Sequence, residues 1–328
     1  MTDSDIPLVS VCMITYNHES YISEAIEGFL LQRCKFPVEL VIGEDHSTDL
    51  TRTICERYAT QYSNIIRLLP SEKNLGMIPN FQRTIMECKG KYIAMCEGDD
   101  YWTDPYKLQK QVDILETHPE IGLVHTDCDV FYQEENRYNR SKNRTKNLNY
   151  SGFDNPYIGI LLGKYDISTC TVLVNKDLLL NADKDDVVAN QDNLQGDLPR
   201  WLYVAKHSKM EYLNESTTTY RVTNGSVSRQ TDIIKRLQFR ASSKSIRKEF
   251  ADKDNLPPKI INEINGRYYT ALINLHFYCG ELNEINSIKK IISIKKVKMP
   301  FKTRIKVLFS MNHLSYNIIK NLYKLKVT

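Results

Sequence analysis

The sequence has no apolar stretch of about 18 or more residues, the length that a membrane-spanning helix needs, anywhere in its 328 residues. Its N-terminus, Met1–Pro7, contains Asp3 and Asp5 rather than a basic segment followed by an apolar one, so no secretory signal is indicated. The eight cysteines and seven histidines lack paired ligand spacing, which argues against a zinc site and favours reduced, buried thiols. These absences predict a soluble globular protein of the cytoplasm.

Acidic residues are missing from the last part of the chain. Residues 285–328 contain eleven Lys or Arg and no Asp or Glu, so the overall net charge of +4 conceals an excess of seven negative charges in residues 1–284. The cations of this tail alternate with Ile, Val, Leu and Phe, which predicts contact with an anionic membrane surface. The alternatives are a solvated basic face that packs on the rest of the protein, and nucleic-acid binding, although we expect no nucleic-acid partner.

Apolar runs of strand length alternate with helical periodicity through the first hundred residues. The predicted strands are Leu8–Thr15, Val38–Ile42, Ile65–Leu69 and Tyr92–Cys96. This alternation predicts an α/β fold of the doubly wound type, with a mostly parallel sheet and flanking helices. A further strand is expected at Ile121–His125, and a polar surface loop over residues 133–150.

The pattern becomes helical from about residue 230. Leu237–Phe250 and Ile260–Tyr278 have the clearest helical periodicity, and Pro257-Pro258 separates them. We therefore expect a first domain over residues 1–229 and a helical, basic C-terminal module over residues 230–328.

Polar residues follow three of the predicted strands. They are Thr15-Tyr16-Asn17, Glu44-Asp45 and Glu97-Gly98-Asp99-Asp100, at the edge where open parallel sheets bind ligands. The first turn, Thr15–Glu19, contains no glycine, which argues against a dinucleotide site, and the chain has no Gly-Lys-Ser/Thr phosphate loop. Acidic groups at this edge would repel a diphosphate unless a divalent metal ion bound there as well.

Asp99 and Asp100 are adjacent in the last of these segments. In extended backbone their side chains point to opposite sides, so that one can meet a metal ion and the other a ribose hydroxyl. The sequence leaves this assignment open, and it also leaves open a solvated turn that caps the next helix.

Four motifs in order resemble those of family 2 glycosyltransferases. They are Val9-Ser10-Val11 through Tyr16-Asn17, Gly43–Asp49, Lys73-Asn74-Leu75-Gly76 and Glu97–Trp102, and the resemblance covers residues 8–228. It implies a GT-A fold and an inverting transfer of a sugar from a nucleotide-diphosphate donor to an acceptor hydroxyl. It also implies Mn²⁺ or Mg²⁺ as the metal, with Asp99 and Asp100 as its candidate ligands.

The donor is expected among residues of these motifs. The resemblance places Tyr16 and Asp45 near the nucleotide base, where Tyr16 could stack and Asp45 could accept the imide hydrogen of uracil or thymine. Of these, uridine is the favoured choice, which suggests a UDP-linked donor. The predicted donor-binding residues are Thr15, Tyr16, Asn17, Glu44, Asp45, Lys73, Asn74, Glu97, Asp99 and Arg221.

Two later segments complete the predicted site. Gly196–Leu202 resembles the family segment that supplies the catalytic base, and Asp197 is the candidate to take the acceptor proton. Tyr220-Arg221-Val222 resembles a late segment in which a histidine commonly reaches the metal or the diphosphate, but Thr223 and Asn224 stand there instead. The arginine of this segment could still neutralise the leaving group through charge-assisted hydrogen bonds.

Structural roles would also account for several of these residues. Helix capping explains Glu44-Asp45 and Ser47-Thr48-Asp49, and a turn or N-cap explains Asp197. A core position explains Tyr16, and a glycine turn explains Lys73–Gly76.

Two other functions remain as alternatives. One is a non-catalytic nucleotide-sugar-binding subunit of a glycan assembly complex. The other is a sugar nucleotidyltransferase, which needs a Gly-rich, Arg-bearing loop that Thr15–Glu19 lacks. Family analogy alone suggests a glycan or lipid-linked glycan as acceptor, in polysaccharide biosynthesis at the inner face of the cell membrane.

Overall fold

The structure is a computed structural model that describes residues 6–149, 156–223, 232–310 and Tyr316. The chain divides into two compact units. The first consists of Met1–Val188 and Tyr203–Thr223, and the second of Ala189–Leu202 and Asn224–Thr328. The domain boundary expected near residue 230 stays a prediction.

The first unit is built on a mixed sheet with nine described strands. They are β1 (Val9–Thr15), β2 (Val38–Glu44), β3 (Ile66–Leu68), β4 (Tyr92–Met95), β5 (Tyr101–Trp102), β6 (Ile121–Tyr132), β7 (Arg137–Asn139), β8 (Leu173–Asn175) and β9 (Lys209–Val222). Their order in the sheet is β3-β2-β1-β4-β8-β6-β9-β5, with β7 beside β6.

The N-terminal half of this sheet is parallel. β1 pairs with β2 on one side and with β4 on the other, and β2 also pairs with β3, all in parallel. Side chains on both faces of β1 and β4 are buried, as expected where helices cover a sheet on both sides. The α/β fold predicted from the sequence is confirmed.

Antiparallel pairs enter the other half of the sheet. β8 runs antiparallel to β4 and β6, and β5 runs antiparallel to β9, whereas β6 and β9 are parallel. The apolar pattern of the sequence predicts neither β8 nor β9. Buried positions of β9 include Thr217, Thr218 and Thr219, whose polarity conceals the strand from a search for apolar runs.

Helices alternate with these strands along the chain. Those that begin before residue 208 are α1 (Ile22–Leu30), α2 (Thr51–Gln61), α3 (Met77–Glu87), α4 (Lys107–Thr117), α5 (Arg144–Leu148), α6 (Tyr157–Leu161), α7 (Lys176–Ala182), α8 (Asp186–Ala189) and α9 (Asp197–His207). Ile26 and Phe29 of α1 pack with Val11 of β1 and Leu40 of β2 in the main apolar core. This core fixes the sheet edge at which the candidate site lies.

The region after residue 121 differs from the sequence-based expectation. β6 continues from Ile121 to Tyr132 instead of ending at His125, because it pairs with β9 along most of its length. The loop expected over residues 133–150 contains β7 and α5. Asp129 on β6 holds this region by accepting hydrogen bonds from Ser141 N at 2.9 Å and Ser216 Oγ at 2.8 Å.

The second unit contains four described helices after residue 231. They are α10 (Ile233–Asp252), α11 (Pro258–Cys279), α12 (Leu282–Ile294) and α13 (Phe301–Phe309). The helices predicted at Leu237–Phe250 and Ile260–Tyr278 are confirmed, with α11 beginning at a proline and ending before Gly280, which has φ of 85°. No helix in the described ranges has the length and apolarity to cross a membrane.

Candidate functional site

The C-terminal ends of β1, β2 and β4 lie side by side, because β1 pairs with both neighbours. Thr15 at the end of β1 lies opposite Glu44 at the end of β2, and Cys12 lies opposite Met95 at the end of β4. The segments that follow these strands therefore share one edge of the sheet. The structure thus brings together the three polar segments singled out in the sequence.

The segment after β1 is hydrogen-bonded to the segment after β2. Asn17 has φ of 55°, a left-handed conformation that asparagine tolerates, and its Oδ1 accepts a hydrogen bond from Thr48 N at 2.9 Å. Glu19 N donates to Asp49 Oδ2 at 3.1 Å, and Glu19 Oε2 accepts from Leu50 N at 2.9 Å. Side chains of both segments thus satisfy backbone groups and hold the two loops together.

Tyr16 and His18 lie in the turn after β1. Tyr16 is 42% exposed, so its ring is not part of the core. His18 Nδ1 lies 3.2 Å from Thr15 Oγ1, and His18 Nε2 lies 3.9 Å from Asp99 Oδ2. Sequence reasoning missed His18 because no second histidine stands at ligand spacing; its position just after a strand end was the signal to follow.

Asp45 binds the loop that precedes α3. Its Oδ1 accepts from Leu75 N at 2.8 Å and its Oδ2 from Gly76 N at 2.9 Å, while Asn74 Nδ2 donates to the Asp45 carbonyl oxygen at 2.9 Å. Gly76 has φ of 86°, which glycine adopts without strain. A carboxylate offers about four lone pairs, but Asp45 is only 3% exposed, so its contact with a nucleotide base stays a prediction. The side chain of Lys73, in the same loop, is exposed.

Glu44, at the end of β2, holds the segment that follows this strand. Its side chain is fully buried, its Oε1 accepts from Ser47 N at 2.6 Å, and its Oε2 lies 3.5 Å from Arg52 Nη1. In this conformation no side-chain atom of Glu44 is exposed, so Glu44 cannot make the contact with the donor that the sequence predicts. Its contacts are those of a residue that positions Ser47.

The turn after β4 concentrates negative charge. Asp100 N donates to the Glu97 carbonyl oxygen at 3.0 Å, and this turn leaves Asp100 buried while the Asp99 side chain is 23% exposed. Burial, followed by the charges of Asp99 and Glu97, raises the pKa of Asp100 well above its ordinary value. A cation at this turn would relieve the repulsion.

Arg221, near the end of β9, holds this turn in place. Its backbone N donates to Asp100 Oδ1 at 2.8 Å, and its Nε donates to the Asp99 carbonyl oxygen at 3.0 Å. Its two terminal nitrogens donate to Gln133 and Glu24. The guanidinium is therefore engaged with protein partners, and its predicted contact with a diphosphate stays a prediction.

Aromatic rings surround the same guanidinium. Its central carbon lies 4.8 Å from the ring centroid of Tyr21, 5.2 Å from that of Tyr101 and 5.6 Å from that of Phe131. Such cation–π contacts stabilise a buried arginine. Sequence reasoning missed these rings because they come from three distant parts of the chain.

The oxygen donors at this edge suit a hard divalent cation. Mg²⁺ is commonly bound through one or two carboxylates together with the phosphates of a substrate. Within the ranges that the structure describes, no three His, Cys, Asp or Glu side chains gather closely enough to hold a metal by themselves. The residues thus fit a cation shared with a bound diphosphate, with Asp99 as the partly exposed carboxylate.

Asp197 belongs to the second unit. It is the first residue of α9, its side chain is exposed, and its Oδ1 accepts from Leu198 N at 2.7 Å. A negative charge in the first turn of a helix is favourable, so this placement also suits a structural role. Its role as a base stays a prediction, and Asn224 of the late segment lies outside the described residues.

Comparison with protein families identifies the chain. The model of Glycosyl transferase family 2 matches residues 10–181, which is more than half of the sequence. The chain belongs to glycosyl transferase family 2. The matched region of this family 2 chain contains β1, β2, β4 and the turn at Asp99.

Two relatives illustrate the extent of the likeness. An uncharacterised protein of Mycobacterium tuberculosis, Rv1520, is 44% identical over 126 residues, which are 38% of this chain and 36% of the relative. A protein of Bacillus subtilis named "putative teichuronic acid biosynthesis glycosyltransferase TuaG" is 26% identical over 224 residues, which are 68% of this chain and 82% of TuaG. The match thus spans little more than a third of the length of the more identical relative.

Solved structures share the fold of this family 2 chain. Residues 1–349 of S. aureus TarS in complex with UDP-GlcNAc match with a TM-score of 0.57 and 17% identity, over 92% of this chain and 79% of that one. The mannosyltransferase PcManGT from Pyrobaculum calidifontis, in complex with GDP-Man and Mn²⁺, matches with a TM-score of 0.55 and 15% identity, over 97% and 88% of the two chains. The GT-A fold expected from the sequence is confirmed.

Proposed function

We propose that the chain is an inverting, metal-dependent glycosyltransferase that moves a sugar from a nucleotide-diphosphate donor, UDP-linked, to a hydroxyl of a glycan or lipid-linked glycan. The observation that supports this most is the turn at Asp99 and Asp100, which follows β4 at the same edge as Tyr16 and Asp45. Family membership and the nucleotide-sugar complexes of TarS and PcManGT support the same function.

The nucleotide base would lie between the segment after β1, at Tyr16, and the segment after β2, at Asp45. Tyr16 offers an exposed ring for stacking. Asp45 is held by two backbone amides and can accept the imide N–H of uracil on a remaining lone pair. Thr15, Asn17, Lys73 and Asn74 complete this side of the donor site, with Asn74 and Asn17 holding the loops and Lys73 exposed.

Asp99 is our choice for the metal ligand, and Mn²⁺ or Mg²⁺ for the metal. Asp99 is partly exposed, whereas Asp100 is buried and accepts the backbone N–H of Arg221. We therefore assign Asp100 and Arg221 to positioning the turn, and we keep Glu97 as a donor-binding residue on the family resemblance. A bound cation would neutralise the charge that develops on the departing diphosphate.

Asp197 is the proposed base. The acceptor oxygen would bond to the anomeric carbon as the bond to the diphosphate oxygen breaks, and the acceptor proton would pass to the Asp197 carboxylate. Attack from the side opposite the leaving group inverts the anomeric carbon. The exposed position of Asp197 at the start of α9 supports this role.

The donor site is tested by thermal unfolding of the purified chain with Mn²⁺ and a panel of nucleotide sugars. A ligand at 100 times its dissociation constant should add about 2.7 kcal/mol to the free energy of unfolding. Asp99→Asn should abolish this gain, whereas Asp113→Asn, an exposed position on α4, should keep it. An equal gain after chelation with EDTA would reject the metal-dependent site.

The base is tested with Asp197→Asn. We expect a loss of transfer of about a hundredfold or more with donor binding unchanged, since a general base acts only in the chemical step. Asp192→Asn, an exposed aspartate shortly before it, should transfer normally. Normal transfer by Asp197→Asn would exclude it as the base, and absence of transfer by the unaltered chain with a bound donor would favour the non-catalytic subunit.

We also propose that residues 1–229 form the catalytic domain and that residues 230–328 form a helical, basic module, of which residues 285–328 bind the inner face of the cell membrane, in polysaccharide biosynthesis. Support comes from exposed apolar and basic side chains that lie close together in sequence within residues 294–308, a set that we call the tail surface. Its members are Ile294, Lys295, Lys298, Phe301, Lys302 and Leu308. Ile294 is 81% and Phe301 76% exposed, which suits insertion into an anionic membrane surface.

The tail surface is tested by flotation with vesicles that contain phosphatidylglycerol. The double variant Ile294→Ser/Phe301→Ser should float less than the unaltered chain because it loses the apolar part of the contact. Leu31→Ser/Leu50→Ser removes two exposed leucines of the first unit and should float normally. Equal flotation of all three proteins would reject the membrane role.

A further inference from the structure

The helical unit contains a cavity of about 1130 Å³ that is strongly basic. It lies among α10, α11 and the connection between α12 and α13. Among the residues that the structure describes, its lining includes six cationic side chains and a single carboxylate, that of Glu263. The cations are Arg240, Lys244, Lys259, Arg267, Lys296 and Lys298.

Two walls of the cavity are α10 and α11, whose charged side chains are spaced by about one helical turn. Arg240 and Lys244 are four residues apart on α10, and Glu263 and Arg267 are four apart on α11, so each pair projects from one helix face. Arg267 Nη2 donates to Glu263 Oε1 at 2.8 Å. The one carboxylate is thus paired within its own helix, and the lining keeps a formal surplus of five positive charges.

The third wall is a short segment fixed by packing. Val297 is buried against Tyr269 and Ile273 of α11, while Lys296 and Lys298 on either side of it are exposed. A Cβ at Gly266 would lie 2.8 Å from the Lys298 carbonyl oxygen, so only glycine lets α11 come this close to the segment. The two lysines are therefore held beside α11 before any ligand arrives.

A cleft lined mainly by charges of one sign raises the local concentration of the opposite ion, so this cavity favours an anionic ligand. Arginine and lysine side chains are the usual partners of phosphate oxygens, and arginine matches phosphate with two parallel donors. The cavity exceeds the room that a single ion needs and is slightly larger than typical ligand pockets, which range from about 300 to about 1,000 Å³. Its described lining contains no aromatic ring, which disfavours nucleobase stacking.

We propose that this cavity is a second binding site, separate from the donor site, for a ligand with two or more phosphate charges. The phosphates belong either to a lipid headgroup or to a soluble phosphorylated molecule. Asn262 and Thr270 in the same lining supply neutral hydrogen-bonding groups for the part of the ligand next to the phosphates.

Calorimetric titration of the full chain with tripolyphosphate tests the site, with EDTA present to keep metal from the donor site and at constant ionic strength. We expect saturable binding that becomes weaker by about tenfold or more in Arg240→Gln/Lys259→Gln, because two charge-assisted contacts are lost. Lys235→Gln/Lys253→Gln removes the same charge from exposed positions outside the lining and should bind normally. If the first variant does not fold, Lys296→Gln/Lys298→Gln replaces it.

The same proteins are then floated with phosphatidylcholine vesicles with and without phosphatidate. If the cavity variant loses affinity for tripolyphosphate but floats normally with the phosphatidate vesicles, the ligand is a soluble phosphate. If the cavity variant also floats less with the phosphatidate vesicles, the ligand is a lipid headgroup. Equal behaviour of the cavity variant and its control in both assays, or no saturable binding by the unaltered chain, overturns the proposal.

Discussion

The backbone N–H of Arg221 donates to Oδ1 of Asp100 at 2.8 Å, although the two residues lie far apart in the sequence. The same arginine donates from Nε to the Asp99 carbonyl oxygen at 3.0 Å. The geometry of the acidic turn after β4 therefore depends on where β9 ends. Pairing of β5 with β9, with Tyr101 opposite Thr219, joins the two regions.

Arg221→Gln should loosen this turn. We expect the free energy of unfolding to fall by about 2 kcal/mol, because hydrogen bonds to Asp99, Gln133 and Glu24 are lost from a buried group. Metal-dependent donor binding should weaken with it. Urea unfolding and donor titration measure the two effects, and Arg137→Gln, at an exposed position on β7, serves as the control. A stable variant with unaltered donor affinity would contradict the positioning role.

Asp45→Asn should cost stability even though the change is small. An asparagine side chain offers one oxygen and one NH₂ group, so either Leu75 N or Gly76 N would lose its acceptor and face a donor. The expected loss is about 1–3 kcal/mol in the free energy of unfolding. Urea unfolding checks it, and a variant as stable as the unaltered chain would show that the loop before α3 does not need this carboxylate.

Gly98→Ala should push the acidic turn away from β1. A Cβ at this position would lie 2.4 Å from Thr15 Oγ1 and 2.7 Å from Thr15 Cβ. We expect a loss of about 1–3 kcal/mol in the free energy of unfolding, typical of overpacking. Both of these atoms belong to Thr15. The double variant Gly98→Ala/Thr15→Gly should therefore lose less stability than the sum of the losses measured for the two single variants. Simple additivity of the two losses would mean that the clash is relieved elsewhere.

His125 should make the protein sensitive to acid. Burial lowers the pKa of this histidine from 6.5 to about 3. Between these two pH values the unfolded chain therefore binds the proton more readily than the folded one. Its contribution to stability is therefore complete above pH 6.5 and is lost as the pH falls toward 3, by at most about 1.4 kcal/mol per pH unit.

The measurement compares urea unfolding of the unaltered chain and of His125→Gln from pH 7 to pH 5. The stability difference between them should shrink as the pH falls, because only the unaltered chain has the buried histidine. His118→Gln changes an exposed histidine and should follow the unaltered chain. Parallel curves for His125→Gln and the unaltered chain would contradict the expected acid sensitivity.

The N-terminal half of the sheet could be predicted because its information is local. β1 and β2 are apolar runs that end in polar residues, the apolar run of β4 is followed by polar residues from Glu97 onward, and the helices between these strands have a regular apolar stripe. β9 could not be found in this way. It buries Thr217 against Thr126 of β6 through a hydroxyl contact of 2.7 Å, and such a pairing leaves no apolar pattern.

In the candidate site, too, some features had a local signal in the sequence and others had none. The order of its motifs along the chain indicated family 2 membership, and the strand ends at Thr15, Glu44 and Met95 indicated a common edge. The proximity of His18 to Asp99 and the burial of Glu44 had no local signal, since each depends on which strands become neighbours.

The sequence alone determined the alternation of strands and helices, the family and the gathering of acidic residues at one edge, because periodicity and strand ends act over a few residues. The tertiary structure decided that Asp99 is the more exposed and Asp100 the buried member of the pair, and that Arg221 holds both. Burial and hydrogen bonding between distant residues arise only when β9 and β4 are packed into one sheet, so no local pattern could reveal them.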